Sequence, residues 1–231
     1  MNVAEEMKIS SGLPRLKTYV IPSVNVNSLS LYDRDNVPAI AVTEGLLAEA
    51  SRDELQAVVA HEAAHIQKGD TFLLTLICSL TAFYENFLDS LEKEPDYQPG
   101  FQLFRSTQKT ASAPLAYVVN SISFLMIKFF TMLVSQNREL LADATAVELS
   151  RDPAALARII YKAWLANSYL GDSTLLTPLF LVPPDSKEIA GNSWGRLFNT
   201  HPPVEKRLKL LASMTHQTVE ETKNTVREQE K

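Results

Sequence analysis

Two histidines and a glutamate form a short cluster whose spacing suits metal chemistry. The run HEAAH at 61–65 places His61 and His65 four residues apart, with Glu62 directly after the first. On an α-helix this spacing projects both imidazoles from one face, where they can bind a single tetrahedral zinc ion. Glu62 then lies near enough to take a proton from a metal-activated water. The run predicts a zinc site with Glu62 as general base, and the alternative is two surface histidines on an ordinary helix.

A third metal ligand has to come from elsewhere, because a catalytic zinc has three protein ligands and one open position. A metzincin would have a histidine six residues after His65, but Thr71 stands there. Glu139 and Asp143 instead lie four apart on a predicted helix over 137–150. This pair offers one carboxylate for the metal and a second for the free ring N–H of a metal-bound histidine. The alternative is a solvated acidic helix face.

His201 is a further candidate, in the run THPP at the start of a predicted last core helix. From there it could point at a substrate carbonyl and stabilise the oxyanion that forms during hydrolysis. As an isolated His-Pro pair it could equally be a surface histidine that caps the helix. The residues alone leave both alternatives open.

The elements that must position these residues predict an α+β fold that is mostly α. Strand signals occur at 18–21, 27–31 and 39–42, which predicts a small N-terminal antiparallel sheet. The edge of such a sheet can hold an extended peptide by strand addition. From residue 43 onwards the pattern becomes helical.

Local signals mark where individual helices begin. Ser51 followed by Glu54 is a capping box, which opens the helix that carries HEAAH. Asp152 followed by Pro153 predicts the N-cap and first residue of a helix that runs to about 170. Residues 171–200, rich in proline and glycine, predict a long irregular connection.

Two apolar stretches, 72–91 and 114–134, flank a polar loop and predict a long helical hairpin between the two metal-ligand helices. Each has about the 20 residues needed to span a bilayer. Glu85, Asp89 and Lys128 interrupt them, and charges are expensive at bilayer depth. The segment 71–135 is therefore either a membrane-associated hairpin, with the lipid bilayer as partner, or a pair of soluble helices that cover the core.

The chain as a whole is expected to be one domain over 1–231, with a charged tail at 215–231 that forms a frayed solvent helix. The net charge of -5 is spread along the sequence without a long basic run. Such a distribution lacks the basic patch that nucleic acid requires, so we expect no nucleic-acid partner.

Three motifs in this order resemble one family of zinc peptidases. They are HEAAH with its flanks at 58–70, RELLAD at 138–143 and THPPVEKRL at 200–208. Together they resemble the HtpX branch of the gluzincin peptidases that also include the CAAX prenyl proteases. The upstream residues 2–7, 19–21 and 39–47 are similar to the stretch that precedes the zinc helix in that branch.

The resemblance implies a gluzincin-type zinc endopeptidase that acts on protein or peptide substrates and holds one zinc ion per chain. It implies His61, His65 and Glu139 as zinc ligands, Glu62 as base, Asp143 as the partner of a zinc histidine, and His201 as a residue that contacts the transition state. It also implies a role in membrane-protein quality control. The location would be at a membrane with the active site on the cytosolic side, the alternative being a soluble cytoplasmic protein.

Two departures from the family pattern bear on these expectations. The branch has two membrane helices ahead of the region where this chain begins, so we expect either a naturally shortened relative or a longer protein that has been trimmed. Where the family has an Asn-Ala-Phe-Ala-like segment along the cleft, this chain has NVNSLS at 25–30, so its substrate-binding edge strand departs from the family pattern.

Two other functions fit parts of the sequence. The same ligands could hold zinc in a binding or chaperone-like protein whose cleft is blocked by the 171–200 connection. A helical membrane or interaction protein could carry histidines that bind nothing. Stoichiometric zinc would reject the second, and cleavage of an unfolded protein that is lost on chelation would reject the first.

Overall fold

The computed structural model describes residues 2–92, 136–166, 179–183, 201–215 and 217–229, which form the predicted α+β, mostly helical fold. The strands are β1 Lys17–Ile21, β2 Ser28–Tyr32 and β3 Pro38–Thr43. The helices are α1 Val3–Ser10, α2 Glu44–Glu49, α3 Arg52–Lys68, α4 Asp70–Glu92, α5 Gln136–Ser150, α6 Pro153–Leu165, α7 Val204–Thr215 and α8 Val219–Gln229.

The sheet is mixed, and its strand order is β1-β3-β2. β2 and β3 form an antiparallel hairpin in which Ser28 lies opposite Val42. β1 pairs in parallel with the other edge of β3, so that Lys17 lies opposite Ala39. The prediction of a wholly antiparallel sheet is wrong, because residues 22–27 carry the chain across the end of β3 and the consecutive strands β1 and β2 never pair.

α3 begins at the predicted capping box. The Ser51 hydroxyl accepts a hydrogen bond from the Glu54 N–H, and the Glu54 carboxylate accepts one from the Ser51 N–H. At its other end, Gly69 adopts a left-handed φ of 81°, which glycine tolerates without steric penalty. α4 therefore starts immediately at Asp70, next to the last turn of α3.

One hydrophobic core joins α1, α3, α6, α7 and α8. α5 has the predicted span to within a residue, and α6 begins as predicted, with the Asp152 side chain accepting from the Ala155 N–H and Pro153 in the first turn. The charged tail is a docked helix over 219–229, since Val226 is fully buried against this core. α1 was not predicted, although Asn2 is a typical N-cap residue and its side chain caps this helix.

α4 covers the first of the two apolar stretches. Phe72, Leu76 and Leu80 lie about one turn apart on its surface and are each about half exposed. No helix in the described part of the chain is long and apolar enough to cross a bilayer. The second stretch, 114–134, lies outside the described residues, so the helical hairpin stays a prediction.

The buried Glu54 generates a stability prediction. Its carboxylate accepts from Arg158 and Lys162 as well as from Ser51. We expect Glu54→Ala to lower the free energy of unfolding by about 3 kcal/mol, because both cations lose their buried partner. Ser51→Ala removes only the cap and should cost about 1 kcal/mol. Chemical denaturation measures both, with the exposed Asp53→Ala as control, and equal losses for the first two variants would contradict the role of Glu54.

Candidate metal centre

The two histidines of HEAAH face the same point from consecutive turns of α3. His61 Nε2 and His65 Nε2 lie 3.1 Å apart, and both side chains are buried. The i, i+4 spacing on a regular helix produces this convergence. The alternative of two surface histidines is therefore wrong.

Glu139 brings a carboxylate to the same point from α5, which packs against α3. Its Oε1 lies 3.3 Å from His65 Nε2 and its Oε2 lies 3.7 Å from His61 Nε2. The ligand atoms of these three residues all lie within 4.8 Å of one another. Ligand atoms about 2 Å from a tetrahedral zinc are about 3.3 Å apart, so the three buried groups have the separations of a shared metal site.

A carboxylate stands behind each histidine. Asp143 Oδ1 lies 3.0 Å from His61 Nδ1, as expected for an acidic residue one turn after Glu139. Asp70 Oδ2 lies 3.5 Å from His65 Nδ1 and was not foreseen from the sequence. The sequence feature that indicates this contact is the Gly69 cap, which turns the chain so that Asp70 points back at the last turn of α3. Carboxylates at Nδ1 favour the tautomer that leaves Nε2 free as a ligand.

The arrangement fits a divalent cation. With Nδ1 of both rings protonated, the Nε2 lone pairs of His61 and His65 would face each other at 3.1 Å, a contact that either a shared proton or a bound metal ion would make favourable. Among the described residues the site also collects more negative than positive groups. Its carboxylates are Glu62, Asp70, Glu139 and Asp143, and its guanidiniums are Arg138 and Arg207. Two imidazoles and a carboxylate are the ligand types that zinc prefers.

The charges of this cluster shift the pKa values of its titratable side chains. Burial alone would lower the pKa of His65, but Glu139, Asp70 and Glu62 outweigh it and raise that pKa to about 9. Burial opposes ionisation of Glu139, yet His201 and His65 hold its pKa well below the usual range. The pKa of Asp143 is lowered against the same burial, chiefly by Arg207. The Glu139 and Asp143 carboxylates are therefore ionised at neutral pH.

Arg207 is a second site residue that the sequence motifs do not predict, although it lies inside the THPPVEKRL run. It is fully buried and donates from Nε and Nη2 to the two oxygens of Asp143, at 2.8 and 2.7 Å. Its Nη1 donates to the Leu181 carbonyl oxygen at 2.6 Å and lies 3.8 Å from Glu139 Oε2. The Arg207 guanidinium thus fixes Asp143, which contacts His61, and neutralises part of the negative charge of the cluster.

Glu62 points to the sheet side of the cluster. Its Oε1 accepts a hydrogen bond of 2.7 Å from the Ser28 hydroxyl at the start of β2, and both residues are buried. Glu62 is not among the three converging ligands. Its charge nevertheless acts on His65, so Glu62 lies close to the three candidate ligands.

His201 also joins the cluster. Its Nδ1 lies 3.4 Å from Glu139 Oε2, and only 2% of the residue is exposed. The alternative of a surface histidine that caps α7 is wrong, because a buried ring beside Glu139 is not on the surface. All the residues that the sequence singles out for chemistry, on α3, on α5 and just before α7, are brought together.

Comparison with known proteins decides the family. The family model described as Peptidase family M48 matches residues 2–215. The chain belongs to peptidase family M48. It is similar to proteins named "Protease HtpX homolog" from several organisms. The relative from Syntrophobacter fumaroxidans is 31% identical over 218 residues, covering 92% of this chain and 74% of the relative. The relative from Pyrococcus abyssi is 30% identical over 212 residues, covering 90% of this chain and 71% of the relative. The relative from Dictyoglomus turgidum is 27% identical over 215 residues, covering 93% of this chain and 68% of the relative.

In this M48 chain the sheet edge beside Glu62 is already paired. The segment 179–183 lies along the start of β2, where the Leu181 N–H donates to the Ser28 carbonyl at 3.0 Å and Phe180 forms an antiparallel bridge with Leu29. The Asn27 side chain holds Val182, accepting from its N–H at 3.4 Å and donating to its carbonyl at 2.9 Å. The edge predicted to accept a peptide is therefore covered at this point by the chain itself.

The raised pKa of His65 predicts a pH dependence for the metal-free protein of this family member. A group whose pKa is higher in the folded state stabilises the fold fully below its unfolded pKa of 6.5, and this stabilisation is lost as the pH rises through about 9. We expect the melting temperature of the chelated protein to fall between pH 6.5 and 9. The comparison is with His65→Gln, in which this part of the slope should be missing. Parallel curves for the two proteins would contradict the assignment.

Proposed function

We propose that this M48 chain is a zinc-dependent endopeptidase that hydrolyses peptide bonds of protein substrates. His61, His65 and Glu139 would bind the zinc, one ion per chain, and Glu62 would be the general base. The observation that carries the proposal is the convergence of three buried ligand atoms with Glu62 set beside them. Membership of a peptidase family supports the reaction class.

Zinc, when bound, would supply a Lewis acid that polarises the peptide carbonyl and acidifies a water molecule. The residues of the chain move the protons. Glu62 accepts a proton from the water as the water oxygen attacks the carbonyl carbon. Glu62 then gives that proton to the amide nitrogen as the C–N bond breaks. The products are a carboxylic acid and an amine, and Glu62 returns to its starting state.

The other site residues position these groups. Asp143 and Asp70 would hold the rings of His61 and His65 in the orientation and tautomer that present Nε2 to the metal. His201 would donate a hydrogen bond to the negative oxygen that develops on the substrate carbonyl, a role that its position beside Glu139 supports.

A second candidate function is a zinc-binding, chaperone-like or interaction protein whose cleft is blocked. The observation in its favour is that segment 179–183, from the connection expected to block the cleft, covers the β2 edge beside Glu62. Zinc binding is common to both candidates. Only hydrolysis of a substrate separates them.

Membrane association and a role in membrane-protein quality control are part of the proposal through the HtpX-like resemblance. The half-exposed Phe72, Leu76 and Leu80 on α4 offer an apolar surface that a bilayer could cover. Sedimentation of the intact chain with liposomes tests this part independently of the chemistry. The alternative of a soluble protein is supported if the chain stays monodisperse without detergent and does not sediment with the vesicles.

Replacing the base and replacing a ligand should have different effects. Glu62→Gln should keep zinc and the fold while hydrolysis of an unfolded protein such as casein falls by roughly two to four orders of magnitude. Glu139→Gln should weaken zinc retention by more than the roughly 10–100-fold typical of losing an outer partner. Metal analysis after dialysis, with digestion assays on the same samples, measures both. Equal loss of zinc in the two variants would show that the division of roles is mistaken.

His201 has a separate expected signature. His201→Gln should retain zinc and lower the turnover number by roughly a hundredfold, the scale of losing one oxyanion donor. Because the donor acts mainly on the transition state, KM should change little. Steady-state kinetics and zinc content on this variant provide the test. A turnover number close to that of the parent chain would remove His201 from the catalytic machinery.

A further inference from the structure

Ser28 makes a contact that the chemistry described so far does not use. Its hydroxyl donates to Glu62 Oε1 at 2.7 Å, and both side chains are almost completely buried. Among the described residues, Ser28 is the one hydrogen-bond donor to the Glu62 carboxylate. A buried carboxylate is stable only where donors compensate for the water it has lost.

The position of Ser28 on β2 explains why its side chain reaches α3. β2 reads Ser-Leu-Ser-Leu-Tyr, and alternate residues of a strand point to the same face. Ser28 and Ser30 therefore share a face, where Ser28 meets Glu62 and the Ser30 hydroxyl lies 2.9 Å from that of Thr71 at the start of α4. Two buried serines on one strand thus have similar surroundings but different partners.

The backbone around Ser28 is also held firmly. Its carbonyl accepts from the Leu181 N–H at 3.0 Å, and its N–H donates to Asn27 Oδ1 at 3.0 Å. Asn27 in turn is tied to Val182. Both the polar backbone groups and the side chain of Ser28 are therefore engaged, so the hydroxyl is presented to Glu62 from a fixed position.

We propose that Ser28 is a positioning residue for the general base Glu62. This inference rests on the proposed peptidase function. The hydroxyl fixes one carboxylate oxygen and leaves the other to receive the proton from water. Without it, the flexible Glu62 side chain would be drawn toward the positive charge of Arg207, which interacts electrostatically with it. Misplacing a reacting group by about 1 Å can lower a rate by roughly a hundredfold.

The experiment compares Ser28→Ala with Ser30→Ala in the intact, zinc-loaded chain. Ser30→Ala is the matched control, because it removes a buried hydroxyl from the same face of the same strand without touching Glu62. We expect Ser28→Ala to lower kcat about tenfold to a hundredfold with KM and zinc content unchanged. Ser30→Ala should keep kcat within about twofold of the parent, and Ser28→Thr, which restores a hydroxyl, should recover most of the loss.

A second measurement does not depend on activity. In the chelated protein, the melting-temperature changes of Ser28→Ala, Glu62→Ala and the double variant should be non-additive, because either single change removes the same hydrogen bond. The pair Ser30→Ala with Glu62→Ala should be additive. Additive changes for Ser28 and Glu62 would overturn the inference.

The outcomes also separate this inference from the proposed function. If Glu62→Gln hydrolyses casein as fast as the parent chain, the proposed function fails. If Glu62→Gln is inactive while Ser28→Ala and Ser30→Ala have the same kcat, the peptidase function stands and the role of Ser28 is wrong.

Discussion

The buried ion pair between Arg207 and Asp143 is the interaction on which the site depends. Its two parallel hydrogen bonds lock α7 to α5, and a guanidinium matches a carboxylate in this way with high geometric specificity. Through Asp143 the pair fixes the ring of His61 on α3, and through the Leu181 carbonyl it fixes the segment that covers β2. Four separate parts of the chain are therefore linked through this ion pair.

Such a pair contributes more by orienting the groups around it than by stabilising the fold. Burying two charges costs several kcal/mol in desolvation, which their attraction only partly offsets. An acidic metal centre cannot avoid buried carboxylates, however, and repulsion among four of them would drive the helices apart. Arg207, together with the partly exposed Arg138 at Asp70, reduces this repulsion while leaving the charge of the metal ion to complete the balance.

The sequence predicted the parts of this structure that depend on neighbours along the chain. The capping box at Ser51, the span of α5 and the pairing of His61 with His65 all follow from spacings of three or four residues on a helix. The burial of His201 beside Glu139 was one of two alternatives, and the structure decides between them. These predictions succeed because helical geometry alone relates the residues.

Most of the missed features depend on contacts between distant segments, whereas α1 and Asp70 have local signals in the Asn2 and Gly69 caps. The parallel pairing of β1 with β3 cannot be predicted from β1 and β2 alone, because it depends on β3, which comes later in the sequence and lies between them. Ser28 meets Glu62 across 34 positions, and Arg207 meets Asp143 across 64. Serine and arginine are ordinary surface residues by composition, and nothing in their local spacing marks them for burial beside a metal site. Only the packing of α3, α5, α7 and β2 together identifies them.

The segment 179–183 has a consequence for the order in which the molecule is made. Chains are synthesised from the N-terminus, and HEAAH is complete long before Leu181 and Arg207 have been added. Until then the edge of β2 has no partner at Ser28, Asp143 has no counter-charge, and contacts of high sequence separation have yet to form. The centre therefore assembles only after residue 207 has been synthesised, and a shorter nascent chain carries the metal-binding motif without its finished surroundings.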